Sequence, residues 1–450
     1  MTSIEMDLPP KSSTHLGTIA KISKLAFPLM LGSVAAAGLH ILKTTVLTYS
    51  GETEALFTLS MIQPAFILML AFLESLAITN QVFSSRTVPN KTFGDIPRAT
   101  RIYSIMGLVL VAILAASFYG GSFAAEAIWP EGRGLMPQMA LFVLSMAPFL
   151  LFEMRNGALR GLGFTGQALM PFAVLILVDL AVTWVGVHHF GLGFNAVLLG
   201  NIVGPLVALP IVMAMLRAKT KDGAHSDSEA FKKSVIGLSI GVAIPVFASM
   251  VASSVTAAII FPALAGLGEN TASSFFIIVR LRILFIIPAI AIGSAIAILI
   301  NQLPENGAND EKRSVLQTGV TGVIGLYLIA TAVLFTLRFG IVSLIVPLEQ
   351  QGLYLATIDL LIVLIATFAL LAGSTMLQVI LEHLRKGVQV LIITVVVELI
   401  TIAVALWVIS QNYGLSGLVW VMNGAAIISF ILMLAIFVKL IKSMGGKDAV

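Results

Sequence analysis

Long apolar runs dominate the chain, and most are about the 20 residues that an α-helix needs to cross the hydrocarbon of a bilayer. Read this way, the sequence predicts twelve membrane helices, at 23–49, 55–84, 98–119, 135–157, 166–188, 194–216, 234–264, 272–300, 315–338, 352–379, 387–410 and 415–440. That places six in each half. The polar stretches between them are short, and the outer loop 120–134 and inner loop 301–314 are too small to bury a core. No soluble domain is expected. The longest polar interruption, Ala218 to Glu229, is rich in charge and small polar groups and reads as a solvated linker. The expected organisation is a tail at 1–22, a first lobe at 23–217, a linker at 218–233, a second lobe at 234–440 and a tail at 441–450. The first tail is polar, with Pro9-Pro10-Lys11, and lacks a basic start followed by an apolar core and cleavage site, so no cleaved secretory signal is expected.

The two halves repeat each other. Pro28, Gly51 and Glu52 recur as Pro245, Gly268 and Glu269 at a constant offset of 217 residues. Asn80-Gln81 recurs as Asn301-Gln302, and Phe190-Gly191-Leu192-Gly193 recurs as Tyr413-Gly414-Leu415-Ser416. Near-constant offsets mean that one set of elements was built twice, with small loop insertions between. In a membrane protein a duplication of this kind points to transport.

Composition agrees with lipid as the solvent: 58% of residues are hydrophobic and only 11% charged, too few charges to cover a soluble globule of this length. The formal charge of +4 does not make nucleic acid a partner, because the basic residues are distributed as a topology signal. Most Lys and Arg lie on one side of the predicted helices, the other side holding only Arg133 and Arg338, with Lys43, Arg280 and Arg282 at membrane depth. By the positive-inside rule both termini are expected in the cytoplasm. The chain has no cysteine, hence no thiolate chemistry. No glycine-rich loop ends in Gly-Lys-Ser/Thr, so direct drive by ATP is not expected. His15, His40, His188, His189, His225 and His383 are scattered over tails, loops and helix ends, and no metal site or cofactor is expected. Nor do clustered catalytic groups mark an interface, so an enzyme is not expected.

Charges inside the bilayer are costly and usually face a cavity or a partner. Here they are Lys43, Glu74, Glu153, Asp179, Arg280, Arg282, Asp359 and Glu398. At 1.5 Å per residue, Lys43 lies about 10 Å and Asp179 about 15 Å from the outer face, close enough to meet, whereas Glu74 at about 28 Å is too deep to join them. In the second half Arg280 and Arg282 lie roughly 12–15 Å in, Asp359 about 10 Å and Glu398 about 19 Å. Two arginines at i and i+2 point to different sides of a helix, so one faces the cavity and the other a neighbouring helix.

Taken in order, Pro28, a charged residue fifteen positions later, Gly51-Glu52, Leu159-Arg160-Gly161 and Gly191-Leu192-Gly193, repeated as Pro245, Gly268, Leu384-Arg385 and Gly414-Leu415, resemble the multidrug and toxic compound extrusion (MATE) transporters. The resemblance covers about residues 20–440. It implies an all-α polytopic fold, with twelve helices in two six-helix lobes related by a pseudo-two-fold axis and a V-shaped central cleft. It also implies export of organic compounds in exchange for protons or sodium, using carboxylates buried within a lobe. The chain departs from that pattern at three places. Lys43 stands where the family commonly has aspartate, Ser253 where it has glutamate, and Thr375 where some members have an acid. Asp179 remains, and Lys43 would then occupy the place of a bound cation and neutralise it. The ion-coupling candidates are Asp179, Lys43, Glu398, Asp359 and Glu74. The substrate-binding candidates are Lys43, Arg280, Arg282, Gln81 and Gln302.

The expected function is therefore secondary active export of an organic small molecule by a monomer in a bacterial inner membrane, coupled to H+ or Na+. Uncompensated cations in a low-dielectric cleft favour amphipathic or anionic substrates over cationic drugs. A lipid or lipid-linked oligosaccharide flippase of the same superfamily is the alternative, although fourteen helices are more usual there. A non-transporting receptor or scaffold is the alternative from another class.

Overall fold

The computed structural model describes residues 15–50, 55, 58–59, 62–128, 132–221, 223–265, 269–304, 308–346, 348–349 and 351–445, and the side chains of His40, Arg133 and Arg280 lie outside what it describes. Among the described residues every regular element is helical, and twelve long helices follow one another. They are α1 (His15–Tyr49), α2 (Gln63–Thr87), α3 (Asp95–Ile128), α4 (Gly132–Ser145, resuming as Ala147–Gly161), α5 (Thr165–Phe190) and α6 (Phe194–Thr220). The second set comprises α7 (Ser228–Leu238, a π turn at Ser239–Ala243, then Ile244–Ala265), α8 (Glu269–Gln302), α9 (Asn309–Thr336), α10 (Gln351–Leu381), α11 (Gly387–Ser410) and α12 (Gly414–Gly445).

Ten described stretches are long and apolar enough to cross a membrane, and one of them, Gln351–Ser410, spans two helices. The twelfth, α2, is more polar because it carries Ser75, Thr79, Asn80, Gln81, Ser84 and Ser85, all buried against protein rather than lipid. Side chains such as Leu177, Ile329 and Trp420 are instead exposed on the outside, as lipid contact requires. The chain is an integral membrane protein. Trp184 with His188 and His189, and Trp407 with Tyr413, form aromatic clusters at corresponding ends of α5 and α11, the level at which aromatic rings sit in a bilayer.

Prolines set the breaks. Pro148 follows Met146, where α4 is interrupted, because a proline has no N–H to continue the ladder. The π turn Ser239–Ala243 sits immediately before Pro245, whose missing N–H leaves Gly241 without its ordinary acceptor role.

Each lobe borrows the start of the other's first helix. Ile22, Ala26 and Leu29 of α1 pack into the core formed by α8, α9, α10 and α12, whereas Lys43 and Leu47 at the far end of α1 are buried in the first lobe. In the same way Phe231, Val235, Leu238 and Val242 of α7 pack into the core of α2, α3 and α4. The crossing points fall near Pro28 and Pro245, the repeated prolines of the sequence. The lobes are thus held together at the end where α1 and α7 begin, the base of a V.

The described linker residues are largely exposed to solvent, and they are also fastened to the first lobe. Asp95 at the start of α3 accepts from the Ser226 N–H at 2.9 Å and from His225 Nδ1 at 3.3 Å. Gly94 N–H donates to the Ala224 carbonyl at 3.1 Å. Polarity of the sequence marked a surface segment, and Asp95 fastens it there.

Candidate functional site

The sequence-predicted meeting of Lys43 and Asp179 takes place. Lys43 Nζ lies 2.7 Å from Asp179 Oδ2 and donates to Asn201 Oδ1 at 2.6 Å. The amide of Asn201 passes the chain on, its Nδ2 donating to Ser145 Oγ at 3.1 Å, while Ser145 Oγ itself donates to the Phe142 carbonyl at 2.7 Å. Thr183, one turn beyond Asp179, donates its hydroxyl to Asp179 Oδ1 at 3.4 Å. The site therefore draws one group from each of α1, α4 and α6 and two from α5. Lys43 is 2% and Asp179 3% exposed, so neither ion keeps its hydration, and only the pair with its hydrogen bonds makes the charges tolerable.

Glycine brings the carboxylate this close to α6. A Cβ on Gly200 would overlap Asp179 Oδ1, and one on Gly204 would stand 2.8 Å from Asp179 Cβ. Gly200 and Gly204 are four apart on one face, the small-residue spacing that lets membrane helices approach closely. Sequence reasoning that scanned for charges missed Asn201, Ser145 and Thr183. A scan for neutral polar residues in apolar helices finds Asn201, because an amide in hydrocarbon needs a partner as a charge does.

The remaining candidates fall elsewhere. Glu74 on α2 is placed near Glu153 and Arg160, and Glu153 pairs with Arg160 within α4. Glu74 thus belongs to the inner part of the first lobe and not to the Lys43 site, as its depth predicted. In the second lobe Glu398 of α11 accepts from Ser253 Oγ of α7 at 2.7 Å, so the serine that replaces the family's glutamate is joined to a glutamate from another helix. Asp359 is exposed on α10. Arg282 is half-buried on α8, with no ion pair among the described residues. Arg280 carried an expectation that lies outside the described side chains.

Gln81 and Gln302 are not at the Lys43 site. They lie in the seam at the base of the V. Gln302 Nε2 donates to the Gly161 carbonyl at the end of α4 at 3.1 Å, and Gln81 Nε2 lies 3.4 Å from His383 Nε2, just beyond α10. Each glutamine of the repeat reaches from its own lobe to the end of the fourth helix of the other. Beside them Arg86 donates to the His383 carbonyl at 2.9 Å and to Asn301 Oδ1 at 3.4 Å. His383, expected at a helix end, is fully buried in this seam. These reciprocal contacts bridge the two lobes, an arrangement called the latch below.

Several solved structures share this fold at 14–16% sequence identity. A MOP superfamily transporter from Pyrococcus furiosus Vc1, described by a reverse polarity of its binding pocket that suggests a different function, superposes with a TM-score of 0.83 at 15% identity, over 97% of this chain and 100% of that one. A multidrug resistance MATE family transporter in its outward-facing conformation gives 0.80 at 15% identity, over 97% and 100%. The fold is that of the MATE transporters. The Vibrio cholerae MATE transporter VcmN, in its bent form, agrees at 0.80 with 14% identity over 96% and 98%. Two six-helix lobes, which the repeat predicted, are common to these MATE structures and this chain. No family model matches the sequence, and no curated protein does.

Proposed function

We propose that the chain is a secondary active exporter of an organic small molecule that works by alternating access, with both termini in the cytoplasm of a bacterial inner membrane. The observation that carries this reading is the Lys43–Asp179 pair, buried within one lobe of a MATE fold. An ammonium group sits where a coupling cation would neutralise the carboxylate. Protonating Asp179 removes the charge that holds Lys43, which gives the first lobe two electrostatic states, and a ligand or proton that distinguishes them shifts their populations. The Ser253–Glu398 contact supplies a carboxylate in the second lobe. Proton antiport through these groups is the proposed coupling, with sodium as the competing ion.

The charge of Lys43 is spent on Asp179, so the preference for amphipathic or anionic substrates rests on Arg282. Its half-buried guanidinium on α8 has no carboxylate among the described residues, and a cation in a low-dielectric cleft attracts anions. The Pyrococcus furiosus Vc1 transporter, described by a pocket of reversed polarity, offers a parallel for a MATE-fold protein that does not follow the usual charge pattern. The test is flux into proteoliposomes of matched anionic and cationic dyes under a proton gradient and, separately, a sodium gradient. Anion transport driven by protons, lost in Arg282→Gln, is expected. Transport of cations alone contradicts the substrate reading.

A further inference from the structure

Beside the latch, at the base of the V, lies a cavity of ≈ 490 Å³ whose walls come from both lobes. Ligand pockets occupy about 300–1,000 Å³, so it is large enough to hold a small anion or a lipid headgroup. Arg86 reaches it from the end of α2, Asn301 from the end of α8, Lys312 from the start of α9 and Arg385 from the turn between α10 and α11. Leu440 and Met444, at the end of α12, form an apolar flank. Three cations and no carboxylate stand among the described lining residues.

The backbone at Arg385 is a second, independent observation. Arg385 has φ 63, in the left-handed region that only glycine and occasionally asparagine or aspartate visit without cost. The corresponding turn of the first lobe, between α4 and α5, uses Gly163 with φ 88 for such a conformation. The second lobe keeps an arginine at a position suited to glycine, and that arginine lines the cavity. Strain of this kind persists where a function uses the side chain. Arg86 is held in place by its bonds to the His383 carbonyl and Asn301 Oδ1, which orient a guanidinium at the wall in advance.

We propose that this cavity binds a phosphate-bearing anion, either the phosphodiester of an acidic lipid headgroup or free phosphate, and that the bound anion ties the two lobes together on this face. Guanidinium forks match phosphate oxygens bidentately, and Leu440 with Met444 would accompany the start of an acyl chain. Because Arg86 belongs to one lobe and Lys312 and Arg385 to the other, a ligand gripping all three favours the arrangement in which the latch is closed. The effect on transport rests on the exporter reading, but binding itself does not.

The test is thermal unfolding of the full chain in a neutral detergent, followed by the fluorescence of its 4 tryptophans. Phosphatidylglycerol, phosphatidylcholine or inorganic phosphate is added at matched ionic strength. Phosphatidylglycerol is expected to raise the midpoint by several degrees above phosphatidylcholine. An equal rise with inorganic phosphate assigns the site to the free anion, and a rise with phosphatidylglycerol alone assigns it to the headgroup. Arg385→Gly removes the cation and suits the left-handed backbone, so it is expected to keep or raise the basal midpoint while losing the anion response. Lys312→Ala should weaken the response, and Arg313→Ala, next to it but outside the lining, should leave it intact. No anion response above the phosphatidylcholine and chloride controls overturns the proposal, as does a full response in Arg385→Gly. The readout requires no flux, so its failure leaves the exporter reading untouched.

Discussion

At the scale of single residues, Lys43 and Asp179 are each intolerable without the other. Truncating one partner of a buried pair leaves a naked charge and costs about 3–5 kcal/mol, whereas removing both is often near neutral. Lys43→Ala is therefore expected to lower the unfolding midpoint strongly, and Lys43→Ala with Asp179→Asn to recover much of the loss; a double-mutant cycle by chemical denaturation in detergent measures the coupling. Gly200 makes a sharper demand, since a methyl there would overlap both Asp179 Oδ1 and Thr183 Oγ1. Gly200→Ala should yield little monodisperse protein on size exclusion, while Gly325→Ala, which meets nothing within 4 Å, should behave as the parent. The charges of this site were legible in the sequence from depth alone, because an ion in hydrocarbon announces that it has a partner. Of its neutral members, Asn201 is legible to a scan for amides in apolar helices, but Ser145 and Thr183 are not, since serine and threonine in membrane helices ordinarily satisfy themselves on the preceding turn. Thr183 and Ser145 are distinguished only by what packs beside them.

At the scale of helices, proline positions and the glutamine repeat carry the architecture. The π turn before Pro245 and the break before Pro148 are local answers to a missing N–H, and Pro28 and Pro245 mark where α1 and α7 pass from one lobe's core to the other's. This exchange was invisible to a division at the linker, because apolar runs give a helix's existence but not the neighbour it packs against. The linker's polarity likewise shows its exposure but not its fastening, since the Asp95 contacts that hold it come from the start of α3. The latch is testable by its symmetry. Loss of both cross-lobe contacts in Gln81→Ala with Gln302→Ala removes about 2 kcal/mol at about 1 kcal/mol per bond, roughly a 30-fold change in populations. The natural chain has no cysteine, so spin labels at Arg101→Cys and Arg313→Cys report the separation of the lobes directly. A longer distance component is expected in the latch variant, and an unchanged distribution contradicts the assigned role.

At the scale of the molecule, the duplication predicted two lobes and the structure supplies what joins them: exchanged helix starts, a reciprocal latch and a basic cavity at one end. The asymmetry between lobes lies in charge. The first holds a closed Lys43–Asp179 pair, and the second holds Glu398 on Ser253 and an arginine at 282 without a carboxylate among the described residues. In the proposed exporter, a scaffold built twice with different ions in each copy lets one lobe respond to protons and the other to substrate. The most direct test of that account is the proton dependence of transport in proteoliposomes for the parent, Lys43→Ala and Asp179→Asn. Flux in the parent should follow the imposed proton gradient, and both variants should lose that dependence by at least tenfold while sodium gradients change nothing. Wild-type proton dependence in both variants would contradict the account.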